Sequence, residues 1–222
     1  MIGAHSLSIH GQTLSLLPQR ALYWHEEKTL IVADVHIGKS QTFQRAGIAV
    51  PGQVLQEDLN RLTQLVSSAS ADRLLILGDF VHHRSGLTKR VCEEVEQWCE
   101  NLNAEIMVIV GNHDRPNRRF LYSLPLVLQE HGWECGPFGF YHDEADKPSK
   151  SDQFLFFGHT HPVIFKNGLR LPVFAFYRTH CIMPAFSIFT GGSPLERRGL
   201  VQAFIPLEDE AVAVLTSLPP DN

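Results

Sequence analysis

Four short apolar runs punctuate the chain, and each ends in a small polar or glycine-led motif. Thr29-Leu30-Ile31-Val32-Ala33 leads into Asp34-Val35-His36, and Leu74-Leu75-Ile76-Leu77 into Gly78-Asp79. Ile106 to Val110 leads into Gly111-Asn112-His113-Asp114, and Phe154-Leu155-Phe156-Phe157 into Gly158-His159-Thr160-His161. Brief runs rich in β-branched and aromatic residues, closed by glycine or a polar turn, read as buried strands. Between them the period changes. Leu55, Leu59, Leu62 and Val66 recur at helical spacing after Pro51-Gly52, as do Val91, Val95, Trp98 and Leu102 after Thr88, which is suited to an N-cap.

Upstream, residues 6–17 alternate around Gly11-Gln12, and Leu22 to Ala33 fold back across Glu26-Glu27-Lys28, so two hairpins open the chain. Strand, helix, strand, helix, strand then predicts parallel pairing through crossovers. Arg118 to Ser123 reads as one short helix. From about residue 126 the pattern is mostly strands with Gly and Pro turns, predicting a second, largely antiparallel sheet packed on the first. No long linker, repeat or low-complexity tract intervenes, so one domain over residues 1–217 is expected, with a frayed tail at 218–222.

Composition narrows the class. The 222 residues suffice for a full core, and 44% hydrophobic with 19% charged residues is the balance of a soluble globular protein. No run approaches a membrane span, and the N-terminus lacks the basic-then-apolar pattern of a cleaved signal. A net charge of −5 argues against coating nucleic acid by bulk electrostatics, though not against a local site. Cys92 and Cys99 on one helix would be separated by a rise of about 10 Å, beyond the roughly 7 Å a disulfide tolerates. With Cys135 and Cys181 they read as free thiols of a reducing cytoplasm.

The polar motifs carry the chemistry, because ligands of α/β folds gather where strands end. In extended backbone, residues i and i+2 face the same way. Asp34 with His36, and His159 with His161, can therefore each address one cation. Asp79 at a strand end could bridge two ions, and Asn112 offers a neutral oxygen. Mixed carboxylate, imidazole and amide donors suit manganese, iron, zinc or cobalt better than calcium, and no cysteine lies in a motif. Two divalent ions against two carboxylates leave a positive site suited to an anionic phosphate. Paired metals lower the pKa of a bridging water and clamp an in-line displacement at phosphorus.

The ordered set Asp-x-His, Gly-Asp, Gly-Asn-His-Asp and Gly-His-Thr-His resembles the calcineurin-like metallophosphoesterases. The resemblance implies an α/β fold, a four-layer α/β/β/α sandwich of two mixed sheets. It assigns one metal to Asp34, His36, Asp79 and His161. The other falls to Asp79, Asn112, His159 and one more histidine between the third and fourth motifs. His142, closing the apparent strand Phe138 to Tyr141, is favoured over His131 in its turn-like Gln129 to Gly132 setting. His113 takes the family's catalytic histidine position, with Asp114 able to orient its imidazole.

A narrower likeness extends from about residue 25 to 192. Ala33 to Lys39, Phe43 to Ile48, Val50-Pro51-Gly52 and Pro184 to Gly192 are similar to the bacterial ligase-associated DNA damage response endonucleases. That likeness implies a phosphodiesterase or endonuclease of DNA repair, a DNA ligase or helicase as partner, and two divalent ions. Manganese comes first, with iron, zinc, cobalt or magnesium as alternatives. Lys39, Phe43 and Arg45, read as loop residues, together with His82 and Arg115, are candidate substrate contacts. The alternatives are a phosphohydrolase of a small nucleotide or phosphomonoester, and a non-catalytic scaffold that binds metal.

Overall fold

The computed structural model describes residues 3–50, 53–207 and 211–215. The first half builds a seven-stranded sheet whose strands lie side by side in chain order. They are β1 (His5–Ile9), β2 (Gln12–Leu17), β3 (Ala21–Trp24), β4 (Thr29–Val32), β5 (Arg73–Leu77), β6 (Glu105–Ile109) and β7 (Val127–Gln129). Pairings up to β4 are antiparallel and those from β4 to β7 are parallel. The two expected hairpins are present. The first sheet runs further than the sequence pattern predicts, because β7 adds to it where only the second sheet was expected.

Among the described residues, four α-helices accompany these strands: α1 (Lys39–Arg45), α2 (Val54–Ala69), α3 (Lys89–Asn101) and α4 (Arg118–Leu121). Thr88 caps α3 by accepting the Val91 N–H. The Pro51-Gly52 turn before α2 lies outside the described residues, as does the tail 218–222. Segment 39–45 is a correction to the sequence reading: it is helical, not loop. Its N-cap, Gly38, has φ 79° and makes no side-chain cap bond, so neither signal of a helix start is written there.

The second sheet has the order β17-β16-β13-β14-β10-β9-β8. Its strands are β8 (Trp133–Cys135), β9 (Phe138–Tyr141), β10 (Phe154–Phe157), β13 (Phe174–Tyr177), β14 (His180–Ile182), β16 (Leu200–Leu207) and β17 (Ala211–Leu215). It is mostly antiparallel, with β9, β10 and β14 parallel. Period-two alternation sorts the core into layers. Leu30, Val32, Leu74, Ile76, Ile106 and Val108 face α2 and α3. Ile31, Leu75, Leu77, Met107 and Ile109 face the second sheet, meeting Phe138, Phe140, Phe156 and Phe174. This is the α/β architecture of two mixed sheets with helices. Over the outer face of the second sheet, the described residues place the small sheet β12-β11-β15 (β11 Pro162–Lys166, β12 Leu169–Pro172, β15 Ser193–Pro194), packed through Ile164 and Leu195 on Ala175, Ile182 and Ala203.

The segment 184–192 ties these layers together at the strand ends. Phe186 N–H donates to Ala33 O at 2.7 Å, and the Arg61 guanidinium lies 4.3 Å over the Phe186 ring. Asp58 on α2 receives Ser187 Oγ at 2.8 Å and Arg61 Nη1 at 2.9 Å. Burial outweighs these partners and pushes the Asp58 carboxyl up from 3.8 to about 6. A raised folded-state value means stability held below pH 3.8 is lost as pH rises through about 6. The unfolding free energy of the wild type relative to Asp58→Asn should therefore fall between pH 4 and 6, by up to about 3 kcal/mol. Urea unfolding at several pH values checks it, and a difference that stays constant contradicts it.

Candidate metal centre

Parallel strands β4, β5 and β6 of one sheet and β9 and β10 of the other finish at a common edge. Just beyond them the backbone takes an uncommon form. Asp34, His36, Asp79, His159 and His161 all have positive φ, between 48° and 66°. Each such non-glycine residue costs about 1–2 kcal/mol, and strain of this kind is concentrated at functional sites. Asp34 and His36 therefore converge through left-handed turns and not through the alternation of an extended strand. Backbone bonds hold the turns: Asp34 N–H to Gly78 O at 3.2 Å, His36 N–H to Asp79 O at 2.8 Å, and Gly158 N–H to His142 O at 3.0 Å.

Among the described residues, two groups of potential metal donors result. Asp34, His36 and His161 present atoms within 4.8 Å of one another, and so do Asp79, His142 and His159. In the first group, His161 Nε2 lies 3.2 Å from Asp34 Oδ1. In the second, His142 Nε2 approaches Asp79 Oδ1 at 3.4 Å, His159 Nδ1 at 3.1 Å and Asn112 Oδ1 at 2.9 Å. The opposite ring nitrogen, His142 Nδ1, meets Leu77 O at 3.0 Å. A carbonyl only accepts, so Nδ1 carries the proton and Nε2 offers its lone pair to the cluster. His142 is thus drawn between the sheets, 1% exposed, whereas His131 is exposed and belongs to neither group.

The electrostatics favour a cation. Asp34 and Asp79 are buried, 0% and 2% exposed. Burial raises the Asp79 carboxyl, against the lowering effect of His142. Burial also depresses His142, but Asp34 and Asp79 more than offset it and leave that imidazole raised. His36 is lowered by burial and by Lys39 and histidine neighbours, and among the described residues neither of its ring nitrogens has a hydrogen-bond partner. An imidazole so placed is an unfilled donor, which satisfies the test for a metal ligand: buried polar atoms otherwise find partners. Nitrogen and oxygen donors without thiolate fit the borderline divalent metals.

His113 stands beside these groups. Its backbone N–H donates to Asp79 Oδ1 at 2.9 Å, and its Nδ1 donates to His82 O at 2.6 Å. Its Nε2 lies 3.9 Å from Asp79 Oδ2. Asp114 does not orient this ring, contrary to expectation. Its carboxylate is fully buried and accepts the N–H groups of Phe80, Val81 and Gly111, pinning the β5 turn to the β6 turn. Burial pushes it up to about 7.

The remaining candidates divide. His82 stacks on His113 at 5.1 Å and faces Phe43 at 6.2 Å, and burial lowers it to about 4. Phe43 is half-buried and also meets Phe189 at 5.7 Å. Lys39 Nζ donates to Thr190 Oγ1 at 3.2 Å, and burial lowers it to about 8. Arg45 is exposed, and Arg115 pairs with Asp146 at 3.5 Å on the surface. Asp143, whose Oδ2 lies 3.3 Å from His159 Nε2, was missed by sequence reasoning. Its only signal was its position directly after His142.

The calcineurin-like phosphoesterase family matches residues 27–158, more than half the chain. The chain belongs to this family. Among solved structures, the Pseudomonas putida nuclease MPE is 32% identical with a TM-score of 0.82, covering 96% of this chain and 100% of that one. The E. coli phosphoesterase Yfce is 17% identical with a TM-score of 0.48, covering 84% of this chain and 97% of that one. No curated protein matches. As a member of the family, this phosphoesterase is metal-dependent and works through a divalent metal centre.

Gly78 shows how tightly the phosphoesterase backs its donors. Its φ is +74°, and an added Cβ would lie 2.1 Å from His142 Nδ1. A Cβ on Gly111 would lie 2.3 Å from Asp79 Oδ1. Gly78→Ala should displace His142 and weaken binding of one metal equivalent about ten- to a hundredfold. Isothermal titration of manganese into chelator-stripped protein checks this, and wild-type affinity at every equivalent contradicts it.

Proposed function

We propose that the protein is a phosphodiesterase that cleaves DNA, with manganese as its working metal and a role in DNA repair. The carrying observation is that two groups of potential metal donors, with His113 held beside them by the His82 carbonyl, occupy one edge. The direction toward nucleic acid is supported by the full-length similarity to a protein described as a nuclease. Asp34, His36, Asp79 and His161 would hold one ion, and Asp79, Asn112, His142 and His159 the other. Bound there, the cations would supply positive charge for the phosphoryl oxygens and acidify a water.

The chain's own residues account for the rest. His113 keeps Nδ1 protonated through the His82 carbonyl, so a second proton can reside only on Nε2. From that atom it would pass to the departing oxygen as the phosphorus–oxygen bond breaks. Asp114 keeps His113 in place only indirectly, by joining the two turns. Lys39, held by Thr190, supports the reading of a phosphate contact beside the cations. The free state of all four cysteines agrees with a reducing, cytoplasmic setting, and among the described residues no helix is long and apolar enough to cross a membrane. A DNA ligase or helicase partner is carried as part of the same proposal.

His113→Ala should lower turnover of bis(p-nitrophenyl) phosphate by about 10²–10⁴-fold while retaining bound metal. Unchanged turnover contradicts its role. Steady-state assays on manganese-loaded protein should also show cleavage of single-stranded or duplex DNA and of the diester. Turnover of a phosphomonoester alone contradicts the nuclease reading.

A further inference from the structure

A cavity of about 110 Å³ opens beside His161, with Arg20, Arg170, Thr190 and Gly191 among its walls. Two guanidiniums of its walls are fastened to the backbone of the 187–190 stretch, and the neighbouring Lys39 to the Thr190 hydroxyl. Arg170 Nη2 donates to Thr190 O at 3.1 Å, Lys39 Nζ to Thr190 Oγ1 at 3.2 Å, and Arg20 Nη1 to Ser187 O at 3.3 Å. Among the described residues, neither Lys39 nor Arg170 has a carboxylate within ion-pair distance. Burial disfavours the Lys39 charge most, Asp34 and Asp79 favour it, and Arg170 disfavours it by a smaller amount. Arg20 and Arg170 thus bring positive charge to a small polar hollow, a setting that suits an anion.

The cavity's size and place identify that anion further. Its volume suits a phosphate. A guanidinium fork matches phosphate oxygens, and Arg170 keeps most of its N–H groups for such a contact. His161 both lines the cavity and belongs to the first donor group, so hollow and metal centre are contiguous. We infer that this cavity takes a second phosphate of the same polynucleotide, next to the phosphodiester held at the metal centre. This rests on the nuclease reading above. The hollow would favour a polynucleotide over any small diester, which has no second phosphate to place there.

The test compares Arg170→Ala with wild type on two substrates, a short oligothymidylate and bis(p-nitrophenyl) phosphate, both with manganese. Arg170 is exposed, so its loss leaves the core intact. The ratio of KM for oligothymidylate to KM for the small diester should rise about tenfold, the loss expected for one charge-assisted hydrogen bond. The slope of log KM for oligothymidylate against log salt should fall by about one. Arg170→Lys should recover the slope but only part of the affinity, since it keeps charge and loses the fork. Equal shifts on both substrates, or none, overturn the inference while leaving the nuclease reading standing. Wild-type protein that turns over the small diester and never the oligonucleotide overturns both.

Discussion

Two buried carboxylates, Asp34 and Asp79, are the constraint around which this molecule is arranged. They sit beyond neighbouring parallel strands, beneath imidazoles and almost without solvent. A buried carboxylate without compensation is expensive. Backbone N–H groups relieve part of the cost: His159 donates to Asp34 at 3.0 Å and His113 to Asp79 at 2.9 Å. The remainder calls for positive charge, and four imidazoles converge from both sheets with lone pairs able to hold it. The left-handed turns, the absence of a Cβ at Gly78 and Gly111, and the clamp formed by Asp114 all serve that convergence.

This arrangement explains why two sheets are needed. Asp34, His36 and Asp79 come from the first sheet, and His142, His159 and His161 from the second. Each donor group therefore spans the sandwich, and His142 reaches Leu77 O across it. The aromatic layer between the sheets, including Trp24 against Phe138 at 4.9 Å, fixes their separation. Positional precision at the edge is thus a product of packing in the middle, where interiors are dense and resist small shifts. The 184–192 strap adds a second brace, running from Ala33 to the Asp58–Arg61 pair and on to Lys39.

Much of this could be read from residue order. Strands β4, β5, β6 and β10 were visible as apolar runs, α2 and α3 as helical stripes, and the edge of the sheets as the place where motifs collect. Their strong periodicity owes little to distant contacts. What escaped depends on tertiary context. Helix α1 lacks a side-chain cap and is braced by the 84–86 turn, where Ser85 approaches Thr42. Strand β7 is three residues long and has meaning only beside β6. The reading of Asp34 and His36 as strand neighbours gave the right convergence for the wrong backbone. Asp114 looked like a partner for the adjacent His113, yet its carboxylate turns inward to three N–H groups that no local pattern announces. Arg170 follows the last motif by nine residues with no local signal of a role, and the β11–β12 hairpin turns it back to the site.

The central claim is that two cations complete these buried groups. The most direct measurement is a crystal structure of the manganese-loaded protein with anomalous data at the manganese edge. The account predicts two peaks, one among Asp34, His36 and His161 and one among Asp79, His142 and His159. A single peak, or peaks elsewhere on the surface with both groups empty, would contradict it.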